Sequence, residues 1–443
     1  MRIQLSDHFT YKRLLRFTAS PILMMIVTSL YSIVDGFFVS NFVGKTPFAA
    51  VNLVMPVTMA VGTIGFMIGA GGNAVISKTL GENKKELANQ YFSMLVSVAT
   101  LLSIVLSIVG IIFMPQIADA LKANGELKQY CVIYGRILFA AQCPFVLQNV
   151  FQQFFIAAEK PELSLKISIL AGLVNMGLDF LFIVVFHFGI AGAAIATAIG
   201  EIVGSFVPLV YFLRENDSLL RLVKTSFHAK IFAVTCANGS SEMVTNLSTS
   251  AINILYNFQL MRLAGENGVA AYGIIMYVNF IFMAIFIGYA SGSSPIVSFH
   301  YGAQNHAELK NLFKKSLILM CATGIVMTLL AELSAGPLVK LFAGYDAQLF
   351  TMTCRGFRLY SLAFMIMGVN VWGSAFFTAL NNGVVSAIIS FLRTLLFEIA
   401  AVLLLPLWLG IDGIWLAIVT AELLAVVITV FFLVNKRKQY QYI

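Results

Sequence analysis

Twelve apolar stretches of roughly 20 to 28 residues divide this chain from end to end, each long enough as a helix to cross a hydrocarbon layer of about 30 Å. They lie near residues 17–41, 48–74, 91–114, 130–156, 163–187, 190–213, 231–261, 268–294, 313–338, 350–378, 384–406 and 411–434. A barrel strand would show about ten alternating residues between turn signals, whereas these runs are continuous. Helices also satisfy their own backbone in lipid. With 59% hydrophobic and 11% charged residues, the 443-residue chain has more apolar side chain than a soluble core hides. The expected fold class is an all-α polytopic membrane protein.

The basic start (Arg2, Lys12, Arg13, Arg16) runs straight into a full-length span without a small-residue cleavage site, so the first helix is expected to remain as an anchor. The formal charge of +8 is spread by loop and forms no patch for a nucleic acid. Nineteen of the 28 Lys and Arg fall on one side, in the amino-terminal segment, Lys78/Lys84/Lys85, Lys160/Lys166, Arg214 to Lys230, Lys310/Lys314/Lys315 and Lys436 to Lys438. The other side keeps Lys45, Lys122, Lys128, Arg262 and Lys340 in its loops. Cytoplasmic loops carry the positive excess, which puts both termini in the cytoplasm. The five cysteines show no CxxC spacing and read as apolar filler.

The chain repeats itself at an offset of 221 residues. Gly44, Ala49, Ala50, Met55 and Val57 fall on Gly265, Ala270, Ala271, Met276 and Val278. Gly71, Ser77 and Gly81 fall on Gly292, Ser298 and Gly302, and Gly189, Gly192, Ala196 and Glu201 on Gly410, Gly413, Ala417 and Glu422. Six spans per repeat is an even number, so both halves enter the membrane in the same orientation. The expected organisation is two parallel six-helix bundles, residues 1–213 and 231–443, joined by a cytoplasmic linker, 214–230. A site between such bundles can open to either face in turn.

Intramembrane ionisable groups mark function by default, because holding them in lipid is expensive. Asp35 lies in "YSIVDGFFVSNFVG". Asn175 and Asp179, four apart, share one face of the fifth span, and Thr197 lies in the sixth. At 1.5 Å per residue, Asp35, Asp179 and Thr197 lie about 9, 12 and 11 Å below the outer ends of their helices, at one level. Two carboxylates, a carboxamide oxygen and a hydroxyl are hard ligands suited to an alkali cation such as Na+. Two buried acids that repel one another are equally suited to load and release a proton. The coupling ion, H+ or Na+, stays open, and no other cofactor is expected.

The seventh span is unusually polar, with Asn238, Ser241, Glu242, Thr245, Asn246, Ser248, Asn253 and Asn257, and is expected to line a cavity; Glu242, Asn246 and Asn253 are its substrate candidates. Asn149 and Gln152 play that part in the fourth span, beside Gln142, Gln148 and Gln153. Arg393, Glu398, Glu201 and Glu422 read as buried ion pairs or packing devices, and Arg355 and Arg358 as interface residues that snorkel. Pro21 is a hinge candidate on the helix that carries Asp35, or else a proline in that helix's first turn. No HExxH and no GxxxxGKS/T sequence is present, so an ion gradient is expected to supply the energy.

"SPILMMIVTSLYSIVDGFFVSNFVG", "GGNAVISKTLGENKKELA" and "VNMGLDFLFIVVFHFGIAGAAIATAIGE", with their echoes in the second half, resemble the multidrug and toxic compound extrusion (MATE) family over essentially the whole chain. The resemblance implies twelve helices in two bundles and export of cationic or amphiphilic organic compounds in exchange for H+ or Na+. It is strongest to the DinF-like branch, whose amino-terminal cation site matches Asp35, Asn175, Asp179 and Thr197 position by position. It implies small organic substrates, a lipid environment, a monomer, no enzymatic activity, and the cytoplasmic (inner) membrane of a prokaryote. The branch resembling NorM uses acids on the seventh and tenth helices; here Glu242 is displaced and the tenth has none. A lipid or lipid-linked-precursor flippase of the wider superfamily is the alternative, against which the scarcity of cavity arginines argues.

Overall fold

Long apolar runs punctuated by glycine, proline and short polar turns produce helices and, among the described residues, no strand. The computed structural model describes residues 3–344 and 346–443; Arg2, counted in the basic start, lies outside them. The first half contains α1 (Tyr11–Phe38), α2 (Lys45–Gly81), α3 (Lys85–Ala120), α4 (Gly125–Ala140), α5 (Gln142–Ala157), α6 (Pro161–Asp179) and α7 (Gly189–Leu213). The second contains α8 (Ala229–Gly302), α9 (His306–Ala343), α10 (Ala347–Ser361), α11 (Phe364–Ala379), α12 (Gly383–Phe391), α13 (Glu398–Leu404), α14 (Pro406–Leu409) and α15 (Ile411–Asn435). Side chains fix several starts: Asp346 Oδ1 accepts from the N–H groups of Gln348 and Leu349 at 2.8 and 3.0 Å, and Asn305 Oδ1 from Glu308 at 3.1 Å.

α4 and α5 meet at 49° and α10 and α11 at 47°, so each pair is one bent span, and the two bends fall on corresponding spans of the two halves. The 74 residues of α8 would reach about 110 Å, several membrane thicknesses. Gly265 breaks the run with φ 62° and ψ −150°, a conformation that only glycine adopts readily. α8 is therefore two spans, and with α12 to α14 as one the total among the described residues is twelve.

The repeat is visible in the backbone. Gly44 and Gly265, Asn83 and Gln304, and Gly189 and Gly410 all hold positive φ, pair by pair at the 221-residue offset. The halves meet through glycines related in the same way. A Cβ on Gly81 would lie 2.0 Å from the carbonyl oxygen of Phe299, and one on Gly302 would lie 2.0 Å from that of Lys78. Gly71 meets Thr235 and Gly239, while its counterpart Gly292 meets Thr18 and Pro21. These contacts gather toward the membrane face that carries both termini.

On that face the amino-terminal segment ties the halves together. The Leu5 N–H donates to Glu159 Oε1 of the first half at 2.7 Å, and the Phe9 N–H to Glu308 Oε1 of the second at 2.9 Å. Asn311 Nδ2 and Lys315 Nζ both donate to the Phe9 carbonyl, at 3.0 and 2.7 Å. Leu5 and Phe9 are fully buried and belong to the core of the second half. The linker runs along the first half, where Arg221 and Val223 N–H groups donate to Asn89 Oδ1 and Ser93 Oγ. The Lys160 ammonium, hydrogen-bonded to Asp217, holds that exposed carboxyl below its usual range.

Two sequence expectations are refined. Pro21 lies ten residues inside α1, not in its first turn, and faces Gly292 in the seam between the halves. The polar seventh span does not turn all its polar groups to a cavity. Asn238 and Ser241 are buried against α11 and α12: Asn238 Nδ2 donates to Asn381 Oδ1 at 2.8 Å, and the Gly383 N–H to Asn238 Oδ1 at 3.0 Å. Neighbouring helices supply polar partners, so that stretch needs no water.

Candidate functional site

Among the described residues three π-helical turns interrupt the spans, and each adjoins an intramembrane charge. Val39–Val43 begins four residues after Asp35, Phe180–Val185 directly follows Asp179, and Leu392–Phe397 contains Arg393. Such turns widen a helix locally and recur at functional sites. Nothing in the hydropathy pattern signals them.

Asp35 on α1 and Asp179 on α6 stand close enough for their carboxyls to interact directly. Asp35 is 7% exposed, Asn175 4% and Asp179 0%. Asp35 Oδ1, Asn175 Oδ1 and both Asp179 oxygens are buried and receive no hydrogen bond from any described residue. Buried acceptors are almost always satisfied, so four orphaned oxygens in one place call for a cation or a proton. Among the described residues no group of three or more His, Cys, Asp or Glu side chains is arranged to hold a metal. The chemistry on offer is two carboxyls with a carboxamide, suited to a hard monovalent ion or to H+.

Asp35, Asn175 and Thr197 line a cavity of about 190 Å³ in the first half. Asn149 and Gln152 line it too, together with Gln142, Gln148, Tyr31, Phe66 and Phe145. Asp179 does not line this cavity; its carboxyl meets that of Asp35, which does. Glu242, Asn246 and Asn253 do not line it: they belong to the second half, where Asn246 Nδ2 donates to the Glu242 carbonyl and Tyr272 Oη to Asn253 Oδ1. Among the described residues the cavity wall contains no lysine or arginine and includes one acid outside the expected set, Glu201. Its signal was the unpaired charge in an apolar span, which the sequence shares between Glu201 and Glu422.

The second half resolves that ambiguity. Arg393 Nε donates to Glu422 Oε1 at 2.8 Å, with the two side chains 9% and 1% exposed. Asn370 Nδ2 donates to Glu422 Oε2 at 2.6 Å, and Thr429 Oγ1 to Asn370 Oδ1 at 3.0 Å. Of the four charges read as buried ion pairs or packing devices, Glu422 and Arg393 form an ion pair, whereas Glu201 has no such partner among the described residues. Arg355, exposed, pairs with Asp412 at 2.5 Å.

Known proteins share this architecture. The MatE family profile matches residues 21–181 and 243–404, one stretch in each half. The multidrug export protein MepA of Staphylococcus haemolyticus (strain JCSC1435) is 22% identical over 438 residues, covering 97% of this chain and 94% of that protein. The MepA protein of Staphylococcus aureus (strain MSSA476) is 22% identical over 419 residues, covering 93% and 91%. A MATE protein crystallised in complex with MaL6 superposes with a TM-score of 0.93 at 21% identity over 98% of both chains. An outward-facing multidrug resistance MATE transporter of the MOP superfamily gives 0.92 at 21% identity, again over 98% of both. With both halves matched by the family profile, this chain belongs to the MatE family.

Proposed function

We propose that this chain is a secondary antiporter that exports small organic compounds across the cytoplasmic membrane of a prokaryote in exchange for H+ or Na+. The observation that carries the reading is the set of orphaned oxygens of Asp35, Asn175 and Asp179 at a cavity wall that Asp35, Asn175 and Thr197 help to form. Names given to the staphylococcal relatives, multidrug export proteins, agree with it. The positive loops and both termini then face the cytoplasm, where the glycine seam closes the molecule. The cavity is thereby left on the outer side of the seam.

Coupling follows from position. Asp35 belongs at once to the cavity and to the buried acid pair, so a cation or proton bound between Asp35 and Asp179 removes negative charge from the wall that holds the substrate. A substrate attracted by that charge is then released. The same helix crosses the seam at Pro21, where a missing backbone hydrogen bond permits bending. Compounds bound as phosphates suit this wall poorly, since its described residues include no lysine or arginine, and that disfavours a lipid-precursor flippase. Purified protein in proteoliposomes, assayed for ethidium movement under separate proton and sodium gradients, tests the reading. Gradient-driven export that is lost in Asp35→Asn is expected, and export unchanged by that substitution would overturn it.

A further inference from the structure

The two halves share a polar pair and differ in what stands beside it. Glu201 and Glu422 lie 221 residues apart, and so do Asn149 and Asn370. In the second half a guanidinium and a carboxamide grip the acid: Arg393 Nε and Asn370 Nδ2 donate to its two oxygens at 2.8 and 2.6 Å. The residue at Arg393's offset in the first half is Gly172. The space over Gly172 is taken by the Tyr31 ring, whose Cδ1 lies 3.1 Å from the place a Cβ would occupy. A tyrosine supplies no positive charge.

Glu201 is therefore left without a hydrogen bond or an ion pair among the described residues, and it lines the cavity together with Asn149. Asn149 Nδ2 already donates to the Phe145 carbonyl at 2.8 Å, which keeps its Oδ1 available as an acceptor. On the same wall Asp35, 7% exposed, holds an Oδ1 that receives no donor. What this wall lacks is a cation that can donate hydrogen bonds, the kind of group that Arg393 supplies to Glu422.

We propose that Glu201 and Asn149 form a recognition subsite for the charged N–H group of an organic cation, such as a guanidinium, an amidinium or a protonated amine. The inference rests on the reading of the chain as an exporter that takes organic compounds into this cavity. It goes beyond that reading in one respect: the site selects cations with N–H donors over quaternary ammonium ions, because only the former satisfy two acceptors as well as the charge.

Phenylguanidinium and phenyltrimethylammonium, close in size and equal in charge, separate the two contributions. Equilibrium binding of each radiolabelled probe is measured on the full chain in lipid nanodiscs. Wild type is expected to bind phenylguanidinium about tenfold more tightly, the effect of a charge-assisted hydrogen bond. Glu201→Gln is expected to weaken both probes, phenylguanidinium about tenfold more than phenyltrimethylammonium, because the first loses a charge-assisted hydrogen bond as well as the charge. Asn149→Ser, which leaves the charge in place, is expected to narrow the preference and guards against a Glu201→Gln protein that fails to fold. A wild type that binds both probes alike, or variants that weaken both equally, would overturn the subsite. Gradient-driven export of either probe by the same wild type keeps the transport reading intact in that case; absence of any export would sink the transport reading itself.

Discussion

Gly81 and Gly302, related by the repeat, close the seam against each other's helices, each leaving only 2.0 Å between a hypothetical Cβ and a carbonyl oxygen of the other half. Backbone cannot yield as a flexible side chain can. Gly81→Val is expected to hold the halves apart on the terminal face. Spin labels at Lys85 and Lys310 would report a longer mean distance in the variant than in wild type. An unchanged distance distribution would mean that the glycines do not set the closed state.

Asp35 joins the cavity wall to Asp179, and removal of either acid leaves the other without its partner. Asp35→Asn and Asp179→Asn are each expected to lower gradient-driven export by at least about tenfold while leaving the protein folded. The double variant should be little worse than either single one, since residues that act as a unit are non-additive. Multiplicative losses in vesicle transport would show that the two acids act separately.

Arg393 and Glu422 form a buried pair whose halves depend on each other. Arg393→Met strands the Glu422 carboxylate and is expected to cost about 3–5 kcal/mol of stability. Replacing both, with Arg393→Met and Glu422→Leu, should recover part of that loss because no buried charge remains. Thermal unfolding in detergent distinguishes the outcomes. A double variant less stable than Arg393→Met would refute the pairing argument.

Glu308 accepts from the Phe9 N–H and from His8 Nδ1, at 2.9 and 2.6 Å, and so pins the amino-terminal segment to the second half. Glu308→Ala leaves a buried N–H unsatisfied. Amide hydrogen exchange of residues 4–10 is expected to speed up by about tenfold or more, with the spans themselves little affected. Exchange that stays slow would show that Leu5 and Phe9 hold the segment through apolar contact alone.

Much of this was legible in the sequence. Span number follows from hydropathy, which acts locally through the cost of leaving backbone or charge in lipid. The repeat follows from spacing, and the common depth of Asp35, Asp179 and Thr197 from counting along their helices, whereas the positive φ at Gly44, Gly265, Gly189 and Gly410 is seen only in the backbone. Period alone places Asn175 and Asp179 on one face.

Tertiary structure decided what local pattern leaves undetermined. Glu201 and Glu422 are equivalent in the repeat, yet only Glu422 is neutralised, because its arginine comes from a different span that carries Gly172 at the matching position in the first half. Asn238 and Asn253 look alike along one polar helix face; one is buried against Asn381 and the other accepts from Tyr272, according to which helix passes each. Pro21 reads as hinge or helix start until the helix is seen to begin at Tyr11 and to cross Gly292. Hydropathy fixes which residues enter the membrane, since that depends on the residue and its near neighbours. Whether a charge there is paired, and so structural, or left free to meet a cation depends on partners brought together from distant parts of the chain.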